Sequence, residues 1–171
     1  MRIRFNEISP LGTRLEIHEI RDLAQEQDFV VNGPFRADCT LNRKGDDKVV
    51  LQGRVEGEVL LCCDRCLGRY PFQVKAAFQL LFAVGTDESW GVSEMTSSPV
   101  DLETEVLEEP IIDLDDVLRQ QVYLALPVKK LCSEGCKGLC LQCGVNLNDT
   151  ACECAKTATD SPFAALAQLK K

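Results

Sequence analysis

The residues best suited to chemistry in this 171-residue sequence are its ten cysteines, six of which fall between positions 132 and 154. Within that stretch a C-x2-C pair is followed, eight residues later, by a C-x-C pair. Thiolates at such spacings commonly bind a zinc ion, which takes four of them in a tetrahedron at about 2.3 Å. The spacing therefore predicts one complete structural zinc site. Its ligands are Cys140, Cys143, Cys152 and Cys154.

Two further cysteines of this stretch, Cys132 and Cys136, lie outside that set and supply only two thiols. The nearest unpaired thiols belong to a second C-x2-C pair, Cys63 and Cys66. Together the two pairs would form a second zinc site, and the long loop that it closes would restrict the unfolded chain. We therefore expect structural Zn²⁺ as the cofactor, with one or two ions per chain.

The spacing leaves two alternatives to this pairing. One is a single site with spare thiols, and the other uses Cys132, Cys136, Cys140 and Cys143. A redox-active C-x-x-C is less favoured, because neither pair opens a recognisable βαβ unit. Clustered cysteines in a reducing compartment more often bind metal than form disulfides. The remaining two cysteines, Cys39 and Cys62, are expected to pack as small apolar residues.

Catalytic motifs are absent from the sequence. A catalytic zinc keeps an open position and usually has histidine or carboxylate nearby, whereas the single histidine, His18, lies far from the cysteines in sequence. There is no G-x-S-x-G, no P-loop and no G-x-G-x-x-G. We therefore predict that the protein is not an enzyme and has no small-molecule substrate.

Hydropathy patterns indicate the elements that must position the thiols. Apolar and polar residues alternate over 35–42, 49–61 and 72–84, which predicts three long strands in an antiparallel meander. Cys63 and Cys66 then fall in the connection between the second and third strands. Gly53 and Gly57 interrupt the apolar face of the second strand, which indicates bulges or a close backbone approach.

Shorter elements flank this meander. Two short strands are predicted near residues 3–5 and 15–17, on the same period-two pattern. A helix should begin after the N-cap residue Asp113, end before Pro127 and cover the apolar face of the sheet. A second short helix is predicted to begin at Ser161.

The predicted fold class is α+β: an antiparallel β-meander covered by a helix, with a Cys-rich zinc-knuckle C-terminal segment. Residues 1–126 would form the sheet and helix, with an acidic surface loop at 85–112. Residues 127–171 would form the zinc-binding segment and terminal helix, packed on the same domain.

The net charge of −8 is unevenly distributed. Eleven of the 27 acids fall between Asp87 and Asp116, where there is no Lys or Arg, so 16 acids accompany all 19 bases elsewhere. A locally basic surface is compatible with that balance.

No apolar run approaches the roughly 20 residues needed to cross a bilayer, and no export signal is evident. We expect a cytoplasmic protein without a membrane partner.

Four segments carry a resemblance that covers most of the chain from about Val55 onward. They read LCCDRCLGRYP, IDLDDVLRQQVYLALPVKKLC, CKGLCLQCGVNLN with CEC after it, and SPFAALAQLK. Together they resemble the bacterial YceD-like family of large ribosomal RNA subunit accumulation proteins. The resemblance implies a non-enzymatic ribosome-biogenesis factor that promotes 23S rRNA accumulation or processing by binding the rRNA precursor or a pre-ribosomal particle.

Bases near the cysteines are the candidate RNA contacts, because basic patches bind phosphate through charge. They are Arg65, Arg69, Lys129, Lys130 and Lys137. A zinc ion held by four thiolates is net negative, and only Tyr70 offers an aromatic ring nearby, so sequence-specific readout is not expected. The competing hypothesis is a zinc-stapled protein-interaction module that docks on a ribosomal protein or assembly factor.

Overall fold

The computed structural model of the protein describes residues 1–20, 23, 29–85 and 104–154. The chain forms two compact units, each described separately below. Unit 1 comprises Met1–Leu60 and Pro71–Pro127, and the described part of unit 2 comprises residues 61–70 and 128–154. The described strands are β1 (Arg2–Arg4), β2 (Thr13–Ile17), β3 (Phe29–Val31), β4 (Arg36–Lys44), β5 (Lys48–Cys62), β6 (Arg69–Val84), β7 (Thr104–Leu107) and β8 (Ile111–Asp113). A 3-10 turn occupies Phe5–Glu7, and helix α1 spans Leu114–Leu124.

The main sheet has the strand order β2-β4-β5-β6-β7, with β3 also paired to β5. Strands β4 and β5 form an antiparallel hairpin whose register runs from Arg36 opposite Glu56 to Lys44 opposite Lys48. Strand β2 lies antiparallel to β4 on the other side. The three long strands and the α+β class predicted from the hydropathy pattern are therefore confirmed.

The region predicted as an acidic loop contains two short strands. Strand β7 pairs with β6 in the parallel direction, and β8 pairs antiparallel with β1. The sheet is therefore mixed rather than purely antiparallel. Strands of three or four residues are too short to show a hydropathy period, and their backbone hydrogen bonds come from distant partners. Residues 86–103 of that loop, with Trp90, lie outside the described residues, as does the predicted terminal helix at 161–171.

Helix α1 begins and ends where the sequence predicted. Four apolar residues at helical spacing are buried on one face: Leu114, Val117, Leu118 and Val122. The ring of Tyr123 packs against Phe29 of β3 with centroids 5.2 Å apart, which brings the end of the helix to the strands of unit 1. Asp113 is the N-cap residue, but its carboxylate accepts a 3.2 Å hydrogen bond from Arg2 Nε instead of capping the helix.

No helix in the described part of the chain is long and apolar enough to cross a membrane.

The two glycines of β5 lie beneath aromatic rings. A Cβ atom on Gly53 would lie 2.3 Å from Phe78 Cζ, and one on Gly57 would lie 2.5 Å from Phe35 Cδ1. Gly53 keeps regular antiparallel register opposite Cys39, so β4 and β5 pair here without a bulge. The sequence predicted a bulge or a close backbone approach here, but the groups that approach these glycines are aromatic side chains. Phe35 is 3% exposed, so its ring has little room to move away from β5.

We predict that Gly57→Ala lowers the free energy of unfolding by about 1–3 kcal/mol, because the new methyl group overpacks the Phe35 ring. Urea denaturation followed by circular dichroism measures the change. Combining Gly57→Ala with Phe35→Leu should cost less than the sum of the two single changes, since the smaller side chain makes room for the methyl group. Wild-type stability of Gly57→Ala would contradict the contact.

Candidate metal centres

Both C-x2-C pairs of unit 2 form the same tight turn, here called a knuckle. In the first, the Leu67 N–H donates to Cys63 O and the Cys63 N–H donates to Gly68 O, both at 2.9 Å. In the second, the Gly144 N–H donates to Cys140 O at 2.9 Å and the Cys140 N–H donates to Val145 O at 2.8 Å. The hydrogen bonds join equivalent positions, so the two pairs share one backbone geometry.

The first candidate site combines the first knuckle with the segment that follows α1. Its thiols, all within 4.8 Å of one another, belong to Cys63, Cys66, Cys132 and Cys136. The Sγ atoms of Cys63 and Cys136 are 3.8 Å apart, and those of Cys66 and Cys132 are 3.7 Å apart. A tetrahedron with zinc–sulfur distances of about 2.3 Å has edges of about 3.8 Å. The four thiols therefore fit a tetrahedral metal ion.

Backbone contacts hold these two segments of the first site together. The Asp64 N–H donates to Lys130 O at 2.8 Å, and the Lys130 N–H returns a 2.7 Å hydrogen bond to the Asp64 carboxylate. Arg65 donates from Nη1 to Cys136 O at 2.9 Å. Its own carbonyl accepts a 3.1 Å hydrogen bond from the Leu139 N–H. The two residues between the cysteines of the first knuckle thus bond to the other segment both before Cys132 and after it.

The second candidate site lies within one stretch of chain. Its thiols, again within 4.8 Å of one another, belong to Cys140, Cys143, Cys152 and Cys154. The intervening loop folds around Asn146, whose Oδ1 accepts from the Asn148 N–H at 3.1 Å and whose Nδ2 donates to Asp149 at 2.7 Å. Asn146 also forms an isolated antiparallel bridge with Leu139. Asparagine-rich turns of this kind allow the chain to reverse between its two thiol pairs.

The two sites differ in their exposure to solvent. Three thiols of the first site, those of Cys63, Cys66 and Cys136, are buried, and Tyr70, Leu131 and Leu139 pack against them. The thiols of the second site are half-buried or exposed. The first site therefore forms the described core of unit 2, whereas the second is open to solvent.

Hydrogen bonds divide the thiols of each site into readily and poorly ionised groups. Burial opposes ionisation of Cys63, but N–H groups around its sulfur lower its pKa to about 6. N–H groups of the second knuckle, led by that of Cys143, lower the pKa of Cys140 to about 6. A hydrogen bond with the Cys136 thiol, together with burial, raises the pKa of Cys132 to about 12. A hydrogen bond with the Cys143 thiol, together with burial, likewise raises the pKa of Cys154 to about 12. Ionisation of all four thiols of a set near neutral pH is therefore favoured by a cation between the sulfurs.

The eight cysteines predicted as ligands are the eight that the structure gathers, in the two sets preferred from the spacing. The alternative set of Cys132, Cys136, Cys140 and Cys143 is not brought together.

The two cysteines outside these sets differ in burial. Cys39 is buried in β4, as expected, and its burial, together with the charge of Asp38, raises its pKa to about 11. The expectation that Cys62 is buried was wrong. Its neighbours Leu61 and Cys63 point inward, so alternation along the strand turns Cys62 outward.

Asn148 is a contact that the sequence reasoning missed. Its Nδ2 donates to Cys136 Sγ at 3.3 Å, and its Oδ1 accepts from the Lys137 N–H at 2.8 Å. The hydrogen bond lowers the pKa of the Cys136 thiol. Asn148 belongs to the loop of the second site but supports a ligand of the first. The only sequence signal was the N-x-N-D turn between the thiol pairs.

All five predicted RNA contacts lie in unit 2, and they have different surroundings. Arg69, Lys129 and Lys137 are exposed. Lys130 is half-buried. Arg65 donates to the carbonyls of Glu134 and Cys136, so its guanidinium helps to build the first site. The most accessible bases are therefore Arg69, Lys129 and Lys137.

We predict two bound metal ions per reduced chain, of which Cys63→Ser loses one and Cys140→Ser loses the other, because each change removes a ligand from a different site. Native mass spectrometry with elemental analysis measures the content. Cys62→Ser is the matched control, since it removes an exposed thiol beside Cys63 and should retain both ions. One ion in the wild type, or loss of an ion from Cys62→Ser, would argue against these sites.

We also predict that a chelator removes the two metals in two phases, because the second site is more open to solvent than the first. A colorimetric chelator assay measures both rates. The fast phase should disappear in Cys140→Ser and persist in Cys63→Ser. Release of both metals in a single phase, or loss of the slow phase from Cys140→Ser, would show that burial does not govern access.

Comparisons with known proteins indicate where the chain belongs. It is 27% identical over 165 residues to the chloroplastic large ribosomal RNA subunit accumulation protein YCED homolog 1 of Arabidopsis thaliana, covering 85% of this chain and 51% of that protein. The homologue of that name from Zea mays is 29% identical over 126 residues, covering 61% of this chain and 43% of that protein. An uncharacterised protein of Mycobacterium bovis is 39% identical over 102 residues, covering 58% of this chain and 45% of that protein.

The chain thus spans about half the length of the curated relatives that it matches. No solved structure matches it significantly. The family described as large ribosomal RNA subunit accumulation protein YceD matches residues 51–170, which include both cysteine sites. By that match, the chain belongs to the YceD family.

Proposed function

We propose that this chain promotes the accumulation of large-subunit ribosomal RNA by binding precursor rRNA or the assembling large-subunit particle. The observation that carries the proposal is the family match over residues 51–170, which spans both halves of unit 2. A relative that matches 85% of this chain is named for the same role. The site of action would be the cytoplasm, where bacterial ribosomes assemble.

The proposed role of unit 2 is to act as a rigid binding module. Zinc in the first site would crosslink segments that are distant in sequence, and Arg65 and Asp64 already hold those segments in place. Each site supplies four thiols, which completes a structural zinc site without an open position for a substrate or reactive water. This donor set supports a non-enzymatic function.

The exposed bases of unit 2 are the proposed contacts with rRNA. Arg69, Lys129 and Lys137 present cationic side chains on the module, and phosphate contacts require charge and exposure rather than base recognition. Arg65 is left out of this contact set because its guanidinium binds backbone carbonyls. Binding by three bases should be sensitive to salt and indifferent to sequence.

We predict that reversing these charges, Arg69→Glu, Lys129→Glu and Lys137→Glu together, weakens binding to purified 23S rRNA at least tenfold. Filter binding at several salt concentrations measures the affinity. The matched control reverses three exposed lysines of unit 1, Lys44, Lys48 and Lys75, and should bind as the wild type does. Equal losses in both variants would indicate a general charge effect, and no loss in either would place the RNA contact elsewhere.

The function itself is tested in cells. Deleting the gene should lower the amount of 23S relative to 16S rRNA, and wild-type protein should restore it. The variant with Cys63→Ser and Cys140→Ser together should not restore it, since both metal sites are broken. Normal 23S levels after deletion would contradict the proposed function.

Docking on a protein is a second candidate, because leucines are exposed on both knuckles. Leu67 follows the first C-x2-C pair, and Leu141 lies within the second. Both side chains face solvent. Apolar side chains at such positions serve protein contacts more readily than phosphate contacts.

A further inference from the structure

A short stretch of unit 2 carries one thiol of each candidate metal site. Cys136 belongs to the first site and Cys140 to the second, and three residues separate them. This stretch is hydrogen-bonded to the loop at 144–151, which joins the two thiol pairs of the second site. The hydrogen bonds are Lys137 N–H to Asn148 Oδ1 at 2.8 Å, Leu147 N–H to Gly138 O at 2.9 Å and Cys140 N–H to Val145 O at 2.8 Å. The loop of the second site therefore lies along the segment that carries a thiol of the first.

The order of this loop depends on the second site. The loop begins directly after Cys143 and ends directly before Cys152, so a cysteine of the second site lies at each end. A metal ion bound by the four thiols would fix both ends and lower the conformational entropy of the loop. Every residue of the loop is exposed or half-buried, so apolar packing adds little to its order.

Asn148 extends from this loop to the first site, where its Nδ2 donates to Cys136 Sγ at 3.3 Å. The loop itself orients the amide. Nδ2 also donates to Asn146 Oδ1 at 2.8 Å, and the Asn148 N–H donates to the same oxygen at 3.1 Å. Asn148 is exposed, so without these hydrogen bonds its side chain could change rotamer. The donor therefore points at the sulfur only while the loop keeps this conformation.

A hydrogen bond to a metal-binding sulfur affects how tightly the metal ion is held. The donor orients the sulfur and stabilises its negative charge, and loss of such a partner typically weakens metal binding about 10–100-fold. Asp64 and Arg65 support the first site through bonds to its other segment, at Lys130 and Cys136. Those bonds do not involve the loop, whereas the bond from Asn148 does. Metal at the second site can therefore influence the first through Asn148.

We propose that Asn148 couples the two metal sites, so that a metal ion in the open second site strengthens metal binding at the buried first site. The ion in the second site fixes the loop, the loop orients the Asn148 amide, and the amide donates to the sulfur of Cys136. Thermodynamic linkage makes the effect reciprocal, so a metal ion in the first site strengthens binding at the second by the same factor. Asn148 is thus a positioning residue, and its role is independent of the proposed function.

The test loads the full chain with ¹¹³Cd²⁺, a soft ion that thiolates bind and that NMR detects directly. The wild type should give one resonance from each site. Loss of one resonance in Cys63→Ser and of the other in Cys152→Ser assigns them. A chelator buffer sets the concentration of free Cd²⁺, and the resonance intensities then give the occupancy, and hence the affinity, of each site separately.

Four chains complete a double-mutant cycle for the first site. Asn148→Ala should weaken its Cd²⁺ binding about tenfold, and Cys152→Ser, which disrupts the second site, should weaken it by a similar factor. The chain with both changes should bind no more weakly than Cys152→Ser alone, because the donor is already misplaced. Thr150→Ala is the matched control, since it truncates another exposed side chain of the loop and should keep wild-type affinity at both sites.

Additive losses in this cycle would overturn the proposal, because Asn148 would then support Cys136 whether or not the second site is filled. Wild-type affinity of the first site in either single variant would overturn it as well. If Cys152→Ser does not fold, the reciprocal measurement decides. Cys63→Ser should weaken the second site about tenfold, and adding Asn148→Ala should weaken it no further. An unchanged second site in Cys63→Ser would contradict the coupling.

Discussion

The convergence of Cys63 and Cys66 with Cys132 and Cys136 is the interaction on which unit 2 depends. Cys66 and Cys132 are 66 residues apart in sequence, yet their sulfurs lie 3.7 Å apart. In the described part of this unit, the buried cluster consists of three of these cysteines with three apolar side chains against them. An apolar cluster of this size contributes little stability without a crosslink. A metal ion among the four thiols would supply it, and metal binding would then be coupled to folding.

The second site repeats the knuckle of the first without its burial. Its four thiols come from one short stretch, so closing it costs little chain entropy. The two sites are nevertheless connected, because Asn148 from the loop of the second site donates to Cys136 of the first. Order in that loop therefore favours the thiolate form of a first-site ligand. With metal bound, the pair of sites would stabilise the described part of unit 2.

Unit 2 carries two kinds of exposed side chain. In the proposed function its bases would contact RNA phosphates, whereas in docking on a protein the exposed leucines of the knuckles would enter an apolar recess. An assembling ribosomal particle presents both RNA and basic protein to a factor that binds it. A rigid module stapled by metal would pay little conformational entropy on binding such a mixed surface.

Spacing and period in the sequence predicted the second cysteine set, the three long strands and helix α1, because these features depend on residues close together in the chain. The pairing of Cys63 and Cys66 with Cys132 and Cys136 was preferred only from the number of leftover thiols, and the spacing left alternatives to it. The tertiary structure decided which face of β5 carries Cys62, where β7 pairs, and that Arg65 binds the Cys136 carbonyl. It also placed Asn148 against a thiol of the other site. It gave Leu67 a left-handed backbone, with φ of 57°, and an exposed side chain. Each of these depends on contacts or backbone conformations that no short-range pattern records, because they are set only when distant segments pack together.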